Sequence, residues 1–212
     1  MDNKPETRAL FRDVQGVFIF LSLRQNRFFA LSPRREFDFR AQLGKSPTPC
    51  GECIISATDS IEVVETGRVE SVAQVDSSFE ERASACGIRD LFAGARIRWS
   101  MKRRVSRADL EGIRDNLQEI RKAPPSLASP LPAMRLTNRV FDAVSRIVSP
   151  EDDCLALASA KVEFLLRMGI EAHCIIGVRR NPFAAHAWAQ HSEFVIGEDS
   201  DTIRNYLPIA AL

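Results

Sequence analysis

The chain is short of histidine and nearly free of tyrosine, with three His and one Tyr among 212 residues. All three histidines lie at or beyond position 173, so a metal site in the first 172 residues would have to be built without imidazole. No apolar run approaches the roughly 18–20 residues that span a bilayer. The opening MDNKPETR has no apolar core of the kind a secretory signal needs, and the cytoplasm is the expected compartment. A net charge of +1 gives no reason to expect nucleic acid or an anionic membrane as partner. There is no GxxxxGK[ST] loop, so no nucleotide cofactor is expected. Five cysteines at irregular spacing fit a reducing compartment better than a disulfide framework.

What is present is ordinary for a globular protein, 45% hydrophobic and 27% charged. Val17–Arg24 alternates, with Val17, Ile19, Leu21 and Leu23 on one side and Phe18 and Phe20 on the other. A turn at Gln25-Asn26 leads into Arg27–Leu31, so residues 14–31 read as a β-hairpin. Ser32-Pro33 is a cap-plus-proline signal that opens a helix through about Leu43, ended by Gly44. Pro47–Thr58 reads as a short helical stretch, and Ile61–Glu65 with Arg68–Ala73 as a second hairpin. This order of elements suggests a small winged-helix module over residues 1–80, with a boundary near Asp76-Ser77-Ser78. Phe79–Ala123 is helical and amphipathic, Pro124–Pro132 a loop, and Met134–Val148 a further helix.

Two features of the first half invite function and are set aside. Cys50-Gly51-Glu52-Cys53 is a CxxC, but zinc needs two more ligands and none is near. The segment that would supply a recognition helix, residues 46–60, holds no Lys or Arg. Phosphate contacts dominate DNA affinity, so nucleic acid is not the expected partner. A hairpin edge beside a helix suits an extended peptide added as a strand, and residues 1–80 are expected to bind one unaided. The basic cluster Arg96, Arg98, Lys102, Arg103, Arg104 and Arg107 reads as a solvated helix face.

The stretch from Ser149 to Asp201 carries the chemistry. Ser149-Pro150-Glu151-Asp152 has a helix-start pattern, which places Cys154 near a helix N-terminus where the dipole favours a thiolate. Gly169 closes that helix. Ala172–Val178, Ala185–Gln190 and Glu193–Gly197 read as strands. His186 sits among small residues, shares a strand face with Trp188, and is followed after one strand by Glu198 and Asp199. A cysteine at a helix start with a histidine and an acid on adjoining strands is a nucleophile–base–orienter constellation. His173 and His191 read as structural.

Cys154, the Gly169-Ile170 helix exit, Ile176-Gly177-Val178 and the block Phe183-Ala184-Ala185-His186-Ala187-Trp188 resemble the lasso peptide biosynthesis B proteins, transglutaminase-like cysteine proteases. The resemblance implies an α+β chain with a papain/transglutaminase-like catalytic domain over residues 81–212. Residues 1–80, through Phe18–Leu31, resemble the leader-recognition module of such systems, itself similar to the PQQ-synthesis chaperone. The implied activity is removal of the leader from a ribosomally made precursor peptide. The implied partners are that precursor and an asparagine-synthetase-like cyclase, and no metal or cofactor is implied. Cys154 would be the nucleophile and His186 the base. The family's usual aspartate falls at Glu198, with Asp199 beside it, and either residue is a candidate orienter. An inert leader-binding scaffold and an acyltransferase are the alternatives.

Overall fold

The computed structural model describes residues 7–44, 50–55, 61–66, 77–78, 86–122, 129–147 and 153–212. The N-terminal part is a sheet in the order β3-β2-β1-β4-β5. Its strands are Thr7–Val14 (β1), Val17–Ser22 (β2), Arg27–Ala30 (β3), Cys50–Ile55 (β4) and Ile61–Thr66 (β5). Gln15 and Gly16 both have positive φ, the two-residue turn that matches strand twist and lets β1 fold directly onto β2. The helix Pro33–Leu43 (α1) starts at Ser32-Pro33 and ends at Gly44 as its residues predict.

This sheet corrects one expectation and bears on two others. Of the expected helical stretch Pro47–Thr58, the described residues Cys50–Ile55 form instead a central strand, paired antiparallel with β1 on one side and β5 on the other. Its β-branched and cysteine side chains favour a pleated, buried setting over a helix. Ile61–Thr66 therefore hairpins with β4, and Arg68–Ala73 lies outside the described residues. The described residues thus form a five-stranded sheet with one helix on it, and the segment assigned to a recognition helix of a winged-helix module is a strand.

Both faces of β2 are buried, and they serve different cores. Phe18 and Phe20 join Phe11 and Phe39 in edge-to-face and tilted contacts 5.1–6.5 Å apart, closed over by α1. Ile19, Leu21 and Leu23, with Val14, belong instead to the core of the C-terminal half. Phe28 of β3 also meets Phe183 at 5.9 Å, and Arg180 donates to the Gln15 carbonyl at 2.9 Å.

The C-terminal half wraps helices around one buried helix. Ile88–Ser106 (α2), Leu110–Arg121 (α3) and Pro130–Ile147 (α4) surround Cys154–Arg167 (α5). The long helical stretch expected over Phe79–Ala123 is broken at Arg107-Ala108, where Ala108 has positive φ and Asp109 caps α3 through the Gly112 N–H. Proline at the first turn is tolerated, so Pro130 opens α4 within the expected loop. The Ser149-Pro150 signal lies outside the described residues, and α5 begins at Cys154 with Asp153 as its cap residue. Gly169 closes α5 in the left-handed conformation as expected.

The second sheet has the order β10-β7-β8-β9-β6, from His173–Arg179 (β7), Ala184–His191 (β8), Phe194–Val195 (β9), Leu207–Ala211 (β10) and Ser77–Ser78 (β6). Ser77-Ser78, read as a boundary, is its edge strand, parallel to β9. A one-turn helix, Ser200–Ile203 (α6), precedes β10. The whole is mixed α/β.

Because Val14, Ile19, Leu21 and Leu23 pack into the C-terminal core, an isolated 1–80 fragment would expose them. At about 1.5–3 kcal/mol per side chain, that loss rivals the whole stability of a small domain. The expectation that the fragment works alone is therefore replaced. Purified residues 1–80 should show no cooperative thermal transition by circular dichroism, whereas the full chain should. A sharp transition in the fragment would refute the shared core.

Candidate active site

Cys154 is the first residue of α5 and is only partly accessible. The first-turn N–H groups of a helix have no intrahelical partner, and they place a partial positive charge at the thiol. His186 lies near the start of β8, opposite Gly177 of β7. The absence of a side chain at 177 is a packing requirement. A Cβ there would stand 2.7 Å from Trp188 Cζ3 and 2.9 Å from Tyr206 Cβ. Trp188, fully buried, and Tyr206 thus back the imidazole, with ring centroids 6.4 and 5.5 Å from it. Trp188 is fixed in turn by its Nε1–H donating to Gln190 Oε1 at 3.0 Å.

His186 Nε2 meets Glu198 Oε2 at 2.5 Å, which leaves Nδ1 for the Cys154 thiol, with which the imidazole hydrogen-bonds. The Ala187 backbone N–H donates to the same sulfur. Burial works against ionisation of Cys154, but the His186 hydrogen bond, the Ala187 N–H and the imidazolium charge outweigh it and hold the thiol pKa below its ordinary value. Hydrogen bonds to Cys154 and Glu198, opposed by burial, raise His186 to about 9. Each group thus favours the ionised form of the other, the thiolate beside an imidazolium.

Asp199 is placed elsewhere. It caps α6, its carboxylate accepting from the N–H groups of Asp201 and Thr202 and from the Thr202 hydroxyl. Asp201 pairs with Arg204 at 3.0 Å on the surface. Of the two carboxylates left open by spacing, Glu198 is the one beside the imidazole. His173 lies near Arg121 and Glu171, and His191 contacts the Glu171 carbonyl; neither joins the site.

Residues not singled out from the pattern complete the site. Arg98 of α2, almost fully buried, bonds the Asp153 carbonyl at 3.3 Å and pairs with its carboxylate at 3.3 Å; Lys102 adds a contact at 3.9 Å. This pairing offsets an anion that would otherwise oppose the neighbouring thiolate. The basic cluster is therefore split. Arg98 serves the helix start, while Arg103 stacks on the exposed Trp99 and Arg104 pairs with Asp109. Lys161 of α5 is buried and donates to the carbonyls of Ile196 and Gly197 at 2.9 and 3.5 Å. Its place in the apolar run of α5, two residues before Glu163, was the available signal.

Cys50 and Cys53 are buried on β4, and burial pushes Cys53 up to about 12, so it is inert. No His/Cys/Asp/Glu group among the described residues could hold a metal ion. No helix among them is long and apolar enough to cross a membrane.

A profile of the transglutaminase-like superfamily matches residues 94–211, more than half of the chain. The chain belongs to that superfamily. The matched span holds all of α3, α4 and α5, most of α2, and every strand of the second sheet except β6. Neither a curated protein nor a solved structure matches the chain. Membership is consistent with chemistry of the cysteine-protease or acyltransferase type.

Two outcomes follow from the geometry. Glu198→Gln should lower turnover by about 10²–10⁴-fold, since the imidazole loses its orienting acceptor. Asp199→Asn should leave turnover within about fivefold and cost at most a cap's worth of stability, ~1 kcal/mol. Steady-state rates and melting curves of the two variants check both. The pH profile of kcat/KM should be bell-shaped. Its acid limb is protonation of the thiolate, below the usual cysteine range. Its alkaline limb, near pH 9, is loss of the imidazolium proton needed by the leaving group.

Proposed function

We propose that the protein is a cysteine peptidase that removes the leader from a ribosomally made precursor peptide, freeing the core for a macrocyclising partner. The observation that carries the reading is the Cys154–His186–Glu198 arrangement at a helix start within a transglutaminase-like domain. In the reaction, Cys154 Sγ attacks the scissile carbonyl carbon. His186 gives its proton to the departing amine as the C–N bond breaks, leaving a thioester on Cys154. Water, deprotonated by His186, then releases the acid and restores the thiol. The first-turn N–H groups of α5, Cys154 among them, are the donors for the oxyanion.

The precursor-specific part rests on the resemblance to lasso peptide B proteins and on the N-terminal sheet. Among the described residues strand β3 is an edge strand, bonded to β2 alone, and so offers main-chain groups to an extended peptide. Its Phe28 touches Phe183, three residues before His186. A leader laid along β3 would therefore end close to the nucleophile. The proposed cyclase partner, asparagine-synthetase-like, acts on the released core.

Acyl transfer to an amine is the second reading, favoured by access. The His186 and Glu198 side chains keep 23% and 21% of their surface exposed, which admits acceptors larger than water. Incubating the full chain with a candidate precursor and weighing the products separates the readings: two fragments for peptidase, a mass gain with an added amine for transfer, no change for a scaffold. Cys154→Ala should lower cleavage by more than about 10³-fold while leader binding, followed by fluorescence anisotropy, persists. Cleavage within about tenfold of wild type would remove Cys154 as nucleophile.

A further inference from the structure

We propose that Lys161 is a positioning residue for the catalytic acid, holding the turn at Ile196-Gly197 so that Glu198 reaches His186; this rests on the reading of Cys154, His186 and Glu198 as a catalytic triad. After Val195 the ladder between β8 and β9 ends, and one further bond, from the Ile196 N–H to the Ala189 carbonyl at 2.9 Å, carries the chain onward. The carbonyls of Ile196 and Gly197 then face the interior. The Lys161 ammonium takes both, at 2.9 and 3.5 Å.

The turn is closed from the same side by a neighbour. Gly197 has φ +70°, and a Cβ there would lie 2.5 Å from Asn138 Oδ1 and 2.8 Å from Lys161 Nζ. Asn138, from α4, is buried, and its Oδ1 makes no hydrogen bond among the described residues. Lys161 and Asn138 thus press directly on the one residue whose left-handed backbone turns Glu198 back toward β8.

Lys161 also shares its helix with the nucleophile. Cys154 and Lys161 are seven residues apart on α5, about 10 Å along the axis. The helix therefore anchors both ends of the triad, Cys154 directly and Glu198 through Lys161, with His186 between them. The charges facing Lys161 are Glu198 from the turn, Asp142 from α4 and Arg98 from α2; burial and Arg98 lower its pKa while the two acids oppose them. Those facing His186 are Cys154 and Glu198.

Position and charge make opposite predictions. Removing a nearby cation without moving Glu198 would strengthen the hold of His186 on its proton. Releasing Glu198 from the imidazole would weaken it. With three histidines in the chain, the imidazole of His186 can be titrated by NMR in the full protein, with no substrate present. Wild type should keep the proton to about pH 9. Lys161→Met should titrate lower by about one pH unit or more, a tenfold change in proton affinity. Glu198→Gln should do the same, and the double variant should go no lower than Glu198→Gln alone, because both act through one contact.

An unchanged or raised titration in Lys161→Met, with only the melting temperature reduced, would overturn the proposal, as would shifts that add in the double variant. If Lys161→Met fails to fold, Gly197→Ala, which strains the same turn without removing a buried charge, should lower the His186 titration likewise. An unshifted folded Gly197→Ala would overturn it too. Failure of wild type to cleave any precursor would remove the peptidase reading and leave these titrations untouched.

Discussion

The arrangement depends on one contact, between a thiol at the first turn of a buried helix and an imidazole near the start of a strand. Each group is moved toward its ionised form by the other. Burial opposes both charges. It is overcome because direct contacts favour each ion: Ala187 N–H, the imidazole and the helix start at the sulfur, and Glu198 at the far nitrogen, although the Glu198 charge itself opposes the thiolate. Much of the surrounding structure protects that balance. Arg98 pairs with the carboxylate of Asp153, next to Cys154 in the chain, Trp188 and Tyr206 fix the ring plane, and Gly177 leaves the room they need.

On the proposed reading α5 carries both nucleophile and anchor, which asks for a rigid helix, and it is nearly all buried. Its polar residues are paired rather than idle. Glu163 is bonded by Arg167 at 2.6 and 2.8 Å and by Asn116 at 3.3 Å, and Ser159 donates to Cys174 at 3.5 Å. A buried polar group left unpaired would cost about 1–3 kcal/mol, so these contacts allow hydrophilic side chains in the centre of the molecule.

How much of this is legible in the residues depends on range. The turn at Gly44, the helix stop at Gly169 and the strands around His186 are announced locally by glycine, proline and alternation, and they occur where those signals stand. The spacing from His186 to Glu198 and Asp199 narrowed the orienting acid to two neighbours. It went no further, because the choice turns on which of them caps α6, and a four-residue helix leaves little trace in sequence. Cys50–Ile55 was misread because its short apolar run fits strand or helix equally, and only pairing with β1 and β5 decides. Lys161 and Arg98 were passed over for a related reason. Burial of a charge is set by partners 35 and 55 residues away.

The two-faced strand β2 has a consequence for how such a protein can be rebuilt. A recognition module joined through a flexible tether can be exchanged for another by cutting in the tether. Here Leu21 and Leu23 are part of the core that supports α5, while Phe20, their neighbour on the strand, belongs to the sheet's own core. A chimera carrying a foreign N-terminal sheet would inherit a gap or a clash beneath α5. The N-terminal sheet and the transglutaminase-like domain of this chain are bound to vary together, as parts of a single folding unit.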